Sequence, residues 1–171
     1  MKKIGIFIFG ILLTVTGNAW AASAKAIIGP ATPDSKVTGW AAFHDTEEGL
    51  VVEAQVSHAS PGNHGFHIHE KGDCGDSGNA AGGHYNPDGV KHGFLPKDGF
   101  QAAHAGDFGN IEVGPDGIGS IKLVVSGLTV SGGKYNVENR SVIFHEKEDN
   151  FGQPTGNAGG RIGCGIIRKI E

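Results

Sequence analysis

Histidine side chains recur along this sequence with a spacing that suits metal binding. His67 and His69 lie two residues apart in a run that is typical of a β-strand. Side chains at positions i and i+2 of a strand point to the same face, which here predicts that Phe66 and Ile68 point into the core. Two imidazoles on one face can bind a borderline metal such as copper or zinc. On its own, such a pair fits ordinary strand histidines equally well.

A second group of polar side chains follows in a stretch that is poor in apolar residues. Its members are His84, His92, His104 and Asp107. Three imidazoles and one carboxylate form a tetrahedral donor set of the kind that zinc prefers. His145 ends the apolar run 142–144, and a lone histidine there would normally be an ordinary strand-end residue. Because the two groups of candidate ligands still lack one ligand, His145 becomes a further candidate metal ligand.

The two cysteines, Cys74 and Cys164, favour a disulfide if the chain is exported. The bridge would close a loop of roughly 90 residues and stabilise the fold by about 4–5 kcal/mol in the chain-entropy treatment. A pair of metal-binding thiolates is the alternative, and the number of available histidines makes it less favoured.

The segments that must position these groups have the sequence pattern of β-strands. Short alternating or β-branched runs are separated by Gly, Pro, Asp and Asn, and helical periodicity is nearly absent. The runs are Lys25 to Ile28, Lys36 to His44, Gly49 to His58, His64 to Glu70, Gly119 to Val125 and Ser141 to His145. A long glycine-rich connection from Lys71 to Ala103 carries several of the histidines, as functional loops often do. The pattern predicts one all-β domain, an antiparallel sandwich or a small Greek-key barrel.

The first 21 residues have the layout of a secretory signal peptide. Lys2 and Lys3 precede an apolar run, and Ala19-Trp20-Ala21 fits a cleavage site, so the mature domain would span residues 22–171. A retained membrane anchor is the alternative, but the apolar run is short for a membrane span. The formal net charge of −4 and the absence of a basic cluster argue against nucleic-acid binding.

Six ordered motifs resemble the copper,zinc superoxide dismutase family across nearly all of the mature chain. They are Gly65-Phe66-His67-Ile68-His69-Glu70, Gly82-Gly83-His84-Tyr85-Asn86-Pro87, Lys91-His92-Gly93, His104-Ala105-Gly106-Asp107-Phe108-Gly109-Asn110, Phe144-His145-Glu146-Lys147 and Gly156-Asn157-Ala158-Gly159-Gly160-Arg161-Ile162-Gly163-Cys164-Gly165. The position of Cys74 soon after the first motif is more similar to the bacterial exported members.

This resemblance implies an eight-stranded antiparallel Greek-key barrel and an enzyme that converts superoxide to oxygen and hydrogen peroxide. Copper would be bound by His67, His69, His84 and His145, and zinc by His84, His92, His104 and Asp107. Asp149 would accept hydrogen bonds from one copper and one zinc histidine. Arg161 would anchor the anionic substrate, and Cys74 and Cys164 would form an internal disulfide.

The same resemblance implies a periplasmic or secreted protein that works as a homodimer or a monomer, without a membrane anchor after signal cleavage. The segment between Asp149 and Arg161 is several residues shorter than in the familiar eukaryotic enzymes, and their charged steering residues have no obvious counterparts there. A periplasmic copper carrier without turnover is an alternative, although the only methionine is Met1 and Cu(I) carriers favour thioether or thiolate ligands. A copper-only or catalytically silent relative is a further alternative.

Overall fold

The computed structural model describes residues 21–170, and this part of the chain is almost entirely β-structure. The strands are β1 (Ser23–Pro30), β2 (Thr38–Thr46), β3 (Gly49–Ser57), β4 (Gly62–His69), β5 (Asp107–Val113), β6 (Gly119–Val125), β7 (Ser141–His145), β8 (Arg161–Ile166) and β9 (Arg168–Ile170). A 3-10 helix at Asp76–Ala81 and one turn of α-helix, α1 (Leu95–Asp98), interrupt the long connection between β4 and β5. Within the described residues, no helix has the length and apolar character that a membrane span requires. The predicted signal peptide, residues 1–21, lies outside the described residues except for its last position.

The strands follow the order β2-β3-β6-β5-β4-β7-β8-β1, and pairing of β1 with β2 closes the sheet on itself. All of these pairs are antiparallel. The non-consecutive neighbours β3 with β6 and β4 with β7 are the crossings of a Greek-key arrangement. The short β9 follows β8 and pairs with β1. The predicted eight-stranded antiparallel Greek-key barrel is confirmed.

Alternation along each strand fills the barrel with apolar side chains. In β3, Leu50 and Val52 are fully buried, whereas Glu53 and Gln55, farther along the strand, face outward. Four phenylalanines are fully buried: Phe43, Phe66, Phe108 and Phe144. This packed interior supports the strands that carry the histidines.

Two of the eight barrel strands, β5 and β8, are missing from the runs that the sequence predicts, as is the short β9. Both contain glycines, which are unfavourable in strand interiors. Close packing explains one of them, because a Cβ atom at Gly165 would lie 2.6 Å from the carbonyl oxygen of Ile27 on the neighbouring strand. Pairing with adjacent strands therefore overrides the local preference of these segments.

The connection between β4 and β5 is the long loop predicted from Lys71 to Ala103. Cys74 in this loop is bonded to Cys164 in β8, with a Cα–Cα distance of 5.8 Å. The predicted disulfide is confirmed, and it fastens the loop to the barrel wall next to Arg161.

Candidate metal centre

Strand β4 presents the paired histidines to a buried region between the barrel and its loops. Phe66 and Ile68 belong to the hydrophobic core, as the alternation predicts. His67 and His69, on the opposite face, are 0% and 1% exposed because the loops cover them. His145 comes from the end of the neighbouring β7, whereas His84 comes from the long loop and pairs by a backbone bridge with His69.

The first cluster combines His67, His69, His84 and His145, whose potential ligand atoms all lie within 4.8 Å of one another. Hydrogen bonds fix the ring nitrogen that faces inward in three of them. Nε2 of His67 donates to Asp149, Nδ1 of His69 donates to the carbonyl of Gly82, and Nδ1 of His145 donates to the carbonyl of Gly159. The other nitrogens, His67 Nδ1 and His69 Nε2, are buried and have no hydrogen-bond partner. The same is true of His145 Nε2.

The second cluster combines His84, His92, His104 and Asp107 within the same distance. The Nδ1 atoms of all three histidines converge on the Asp107 carboxylate, at 2.8, 2.8 and 3.1 Å respectively. Nδ1 of His92 and Nδ1 of His104 approach it without hydrogen-bonding geometry. Buried polar atoms are normally paired, so unpaired nitrogens aimed at one point fit a bound cation.

The chemistry of the two donor sets fits two different metals. Four imidazoles suit copper, and three imidazoles with one carboxylate suit zinc. His84 belongs to both sets, and its ring is 4.2 Å from that of His67 and 5.3 Å from that of His92, measured between centroids. The structure thus brings together the seven residues of the two predicted ligand sets, with His84 shared.

Asp149 is hydrogen-bonded to one histidine of each cluster. Its carboxylate accepts hydrogen bonds from Nε2 of His67 at 2.8 Å and from Nε2 of His92 at 2.9 Å. In the neutral ring, a proton on Nε2 that is donated to Asp149 leaves Nδ1 with the free lone pair. Gly156 lets the loop pass close by, because its φ is 79° and a Cβ atom there would overlap the Asp149 carboxylate.

Burial and neighbouring charges set the protonation of the clusters. Burial, with a smaller contribution from His84, lowers the pKa of His69 to about 2. Burial also lowers the pKa of His84 to about 4, aided by the nearby His67. Burial opposes protonation of His92, but the carboxylates of Asp107 and Asp149 outweigh it and raise the pKa of His92 to about 9. His69 and His84 are therefore neutral near pH 7, the form that metal binding requires.

A cavity of about 180 Å³ opens onto the first cluster. Arg161 lines it, and the guanidinium is held by hydrogen bonds to the carbonyls of Gly78 at 2.6 Å and Gly82 at 2.7 Å. The carbonyl of Gly82 also accepts the hydrogen bond from His69. The remaining guanidinium N–H groups can bind a small anion near the four imidazoles.

Comparison with known protein families decides the classification. The family model described as copper/zinc superoxide dismutase (SODC) matches residues 37–167. The chain belongs to this family. It is an oxidoreductase of the superoxide dismutase type, and members of the family use copper and zinc.

Individual relatives agree with the family assignment. The chain is 36% identical over 181 aligned residues to the extracellular superoxide dismutase [Cu-Zn] of Caenorhabditis elegans, covering 100% of this chain and 80% of that protein. It is 39% identical over 151 residues to the extracellular superoxide dismutase [Cu-Zn] of Drosophila melanogaster, covering 82% and 81% of the two chains. The solved structure of the clock protein EA4 superposes with a TM-score of 0.76 and 32% identity, covering 89% of this chain and 97% of that one. The narrower resemblance to bacterial exported members stays a prediction.

Two side-chain amides that are not members of either cluster also hold the site, and the sequence does not predict them. Asn110 bonds both backbone groups of Asp149, at 2.9 and 2.7 Å. Gln153 bonds both backbone groups of His92, at 2.9 and 3.0 Å. Asn110 lies within one of the family motifs, but no spacing or motif points to Gln153.

Proposed function

We propose that this chain is a secreted copper,zinc superoxide dismutase in which the two buried clusters are the two metal sites. Copper would be held by His67, His69, His84 and His145. Zinc would be held by His84, His92, His104 and Asp107. The observation that carries the assignment is the set of buried ring nitrogens without hydrogen-bond partners, which point into these two clusters.

The reaction converts two superoxide anions and two protons to oxygen and hydrogen peroxide. Copper supplies the electron exchange when bound, because it alternates between two oxidation states, whereas zinc keeps one. His84 is the residue that we assign to proton transfer. Its Nδ1 faces the Asp107 carboxylate, so its Nε2 is the atom that can take up a proton and deliver it to the reduced substrate in the cavity.

Arg161 is the proposed anchor for superoxide. Its guanidinium stays positively charged at neutral pH although burial lowers its pKa. Two of its N–H groups are occupied by backbone carbonyls, which fixes the direction of the remaining donors. An anion bound there would lie beside His69, His84 and His145, which line the same cavity.

The proposed location follows from the N-terminus and from the relatives. A signal peptide over residues 1–21 would export the chain, and both animal relatives are named extracellular. We propose that the mature domain begins at residue 22 and works in the periplasm or outside the cell. A disulfide between Cys74 and Cys164 agrees with an oxidising compartment.

The test combines metal analysis with direct measurement of superoxide decay. The purified chain should hold about one copper and one zinc per molecule and should accelerate superoxide decay. His84→Ala should abolish most of the rate, whereas His44→Ala, at an exposed position on β2, should leave it intact. Copper binding without turnover would instead favour the copper-carrier alternative.

A further inference from the structure

Gln153 makes a two-point contact with the backbone of His92. Its side-chain Nε2 donates to the carbonyl oxygen of His92 at 2.9 Å, and the His92 N–H donates to its Oε1 at 3.0 Å. Two hydrogen bonds between one amide and one residue fix position and orientation together. The contact joins segments that are 61 residues apart in sequence.

The segment 149–153 therefore holds both the ring and the backbone of His92. Asp149 accepts the hydrogen bond from Nε2 of the His92 ring, and Gln153, four residues later, holds its backbone. Nδ1 of the ring is then aimed at Asp107 in the second cluster, 2.8 Å away. Thr155 and Asn157, which follow Gln153 closely in sequence, line the cavity over the first cluster.

We propose that Gln153 is a positioning residue that couples zinc retention at His92 to the loop that lines the substrate cavity. This inference rests on the zinc ligands assigned under the proposed function. Loss of the amide would let the His92 backbone move, so that zinc would leave faster. It would also remove the side-chain contact that joins the stretch with Thr155 and Asn157 to the loop that carries His92.

The loop has other contacts that do not depend on the Gln153 side chain. The backbone of Asn150 bonds to that of Gly156, and the Phe151 N–H bonds to Oδ1 of Asp149. Removing the amide should therefore leave the path of the loop largely intact. The effect expected from Gln153 is local to His92.

The experiment measures metal release from the full-length mature protein with cobalt(II) in the zinc site. Gln153→Ala should release cobalt to an excess of chelator about tenfold faster than the wild type, because two hydrogen bonds are lost. Gln153→Glu keeps the acceptor oxygen and the side-chain size but places a second carboxylate oxygen against the His92 carbonyl, so its release should be at least as fast as in Gln153→Ala. The absorption bands of tetrahedral cobalt(II) should also shift in Gln153→Ala. Gln101→Ala, at an exposed position outside this contact, is the matched control and should behave as wild type.

The outcomes separate this inference from the proposed function. Unchanged release rates and spectra in both Gln153 variants would overturn the positioning role while leaving the metal assignment intact. Equal acceleration in Gln101→Ala would overturn it as well, because general loosening would then explain the result. If the wild-type protein bound no cobalt in a tetrahedral histidine site, the zinc assignment itself would fail.

Discussion

Nε2 of His67 donates a hydrogen bond of 2.8 Å to Oδ2 of Asp149, and both side chains are fully buried. The donated proton commits the ring to the tautomer in which Nδ1 is free, and that Nδ1 points into the first cluster. Because the same carboxylate also accepts from His92, Asp149 sets the orientation of one histidine in each proposed metal site. The two sites are thus linked through this carboxylate as well as through His84.

Asp149→Asn should weaken binding of both metals. An amide has one acceptor oxygen, and its NH2 group would face the N–H of one of the two histidines. Loss of such a supporting contact typically lowers metal affinity by about 10–100-fold. Competition titrations with chelators for copper and for zinc would measure this. Asp34→Asn, at an exposed position, is the control, and a variant that bound both metals as tightly as wild type would contradict the orienting role.

Arg161→Ala should lower kcat/KM for superoxide by about tenfold or more while metal content stays at the wild-type value, because the local positive charge at the cavity is lost. Arg161→Lys restores the charge but cannot reproduce the planar fork that is held by two carbonyls, so its rate should be intermediate. Superoxide decay measured at several ionic strengths would test this. Arg168→Ala, which removes a charge from the exposed β9, should have little effect. An unchanged rate in Arg161→Ala would remove the anchor from the proposal.

The candidate ligands could be predicted from the sequence because their residue types are informative where they stand. His67 and His69 share one face of a strand by simple two-residue periodicity, and that periodicity does not depend on the rest of the fold. The contact of Gln153 with His92 could not be predicted in this way. It depends on the path of two loops whose contacting residues are 61 positions apart in sequence, and a surface glutamine has no distinctive local pattern. The strands β5 and β8 escaped prediction because they contain glycines, and at Gly165 in β8 the close approach of the Ile27 carbonyl rather than strand preference requires the glycine.

Replacing Cys74 and Cys164 with serine should lower the free energy of unfolding by about 2–5 kcal/mol. The disulfide spans 90 residues and so removes a large amount of conformational entropy from the unfolded chain. It also fastens the loop with Gly78 and Gly82, the two carbonyl acceptors of Arg161, to the strand that carries Arg161. Urea unfolding of the wild type with and without reductant, and of the double variant, would measure the loss. If the double variant matched the oxidised wild type, the bridge would have no stabilising role.

Removing the metals should destabilise the protein, and zinc alone should restore much of the loss. Nδ1 of His92 and Nδ1 of His104 lie beside the Asp107 carboxylate as buried atoms without hydrogen bonds, and a bound cation would satisfy them. An unsatisfied buried polar group costs about 1–3 kcal/mol. A ligand present at a thousandfold excess over its Kd stabilises the folded state by about 4 kcal/mol, so zinc should raise the Tm of the metal-free protein clearly. Calorimetry of the metal-free, zinc-loaded and copper-loaded forms would test this.

Magnesium, which prefers oxygen ligands, is the control and should leave the Tm unchanged. Equal shifts with magnesium and zinc would show that the histidine cluster does not select the ion.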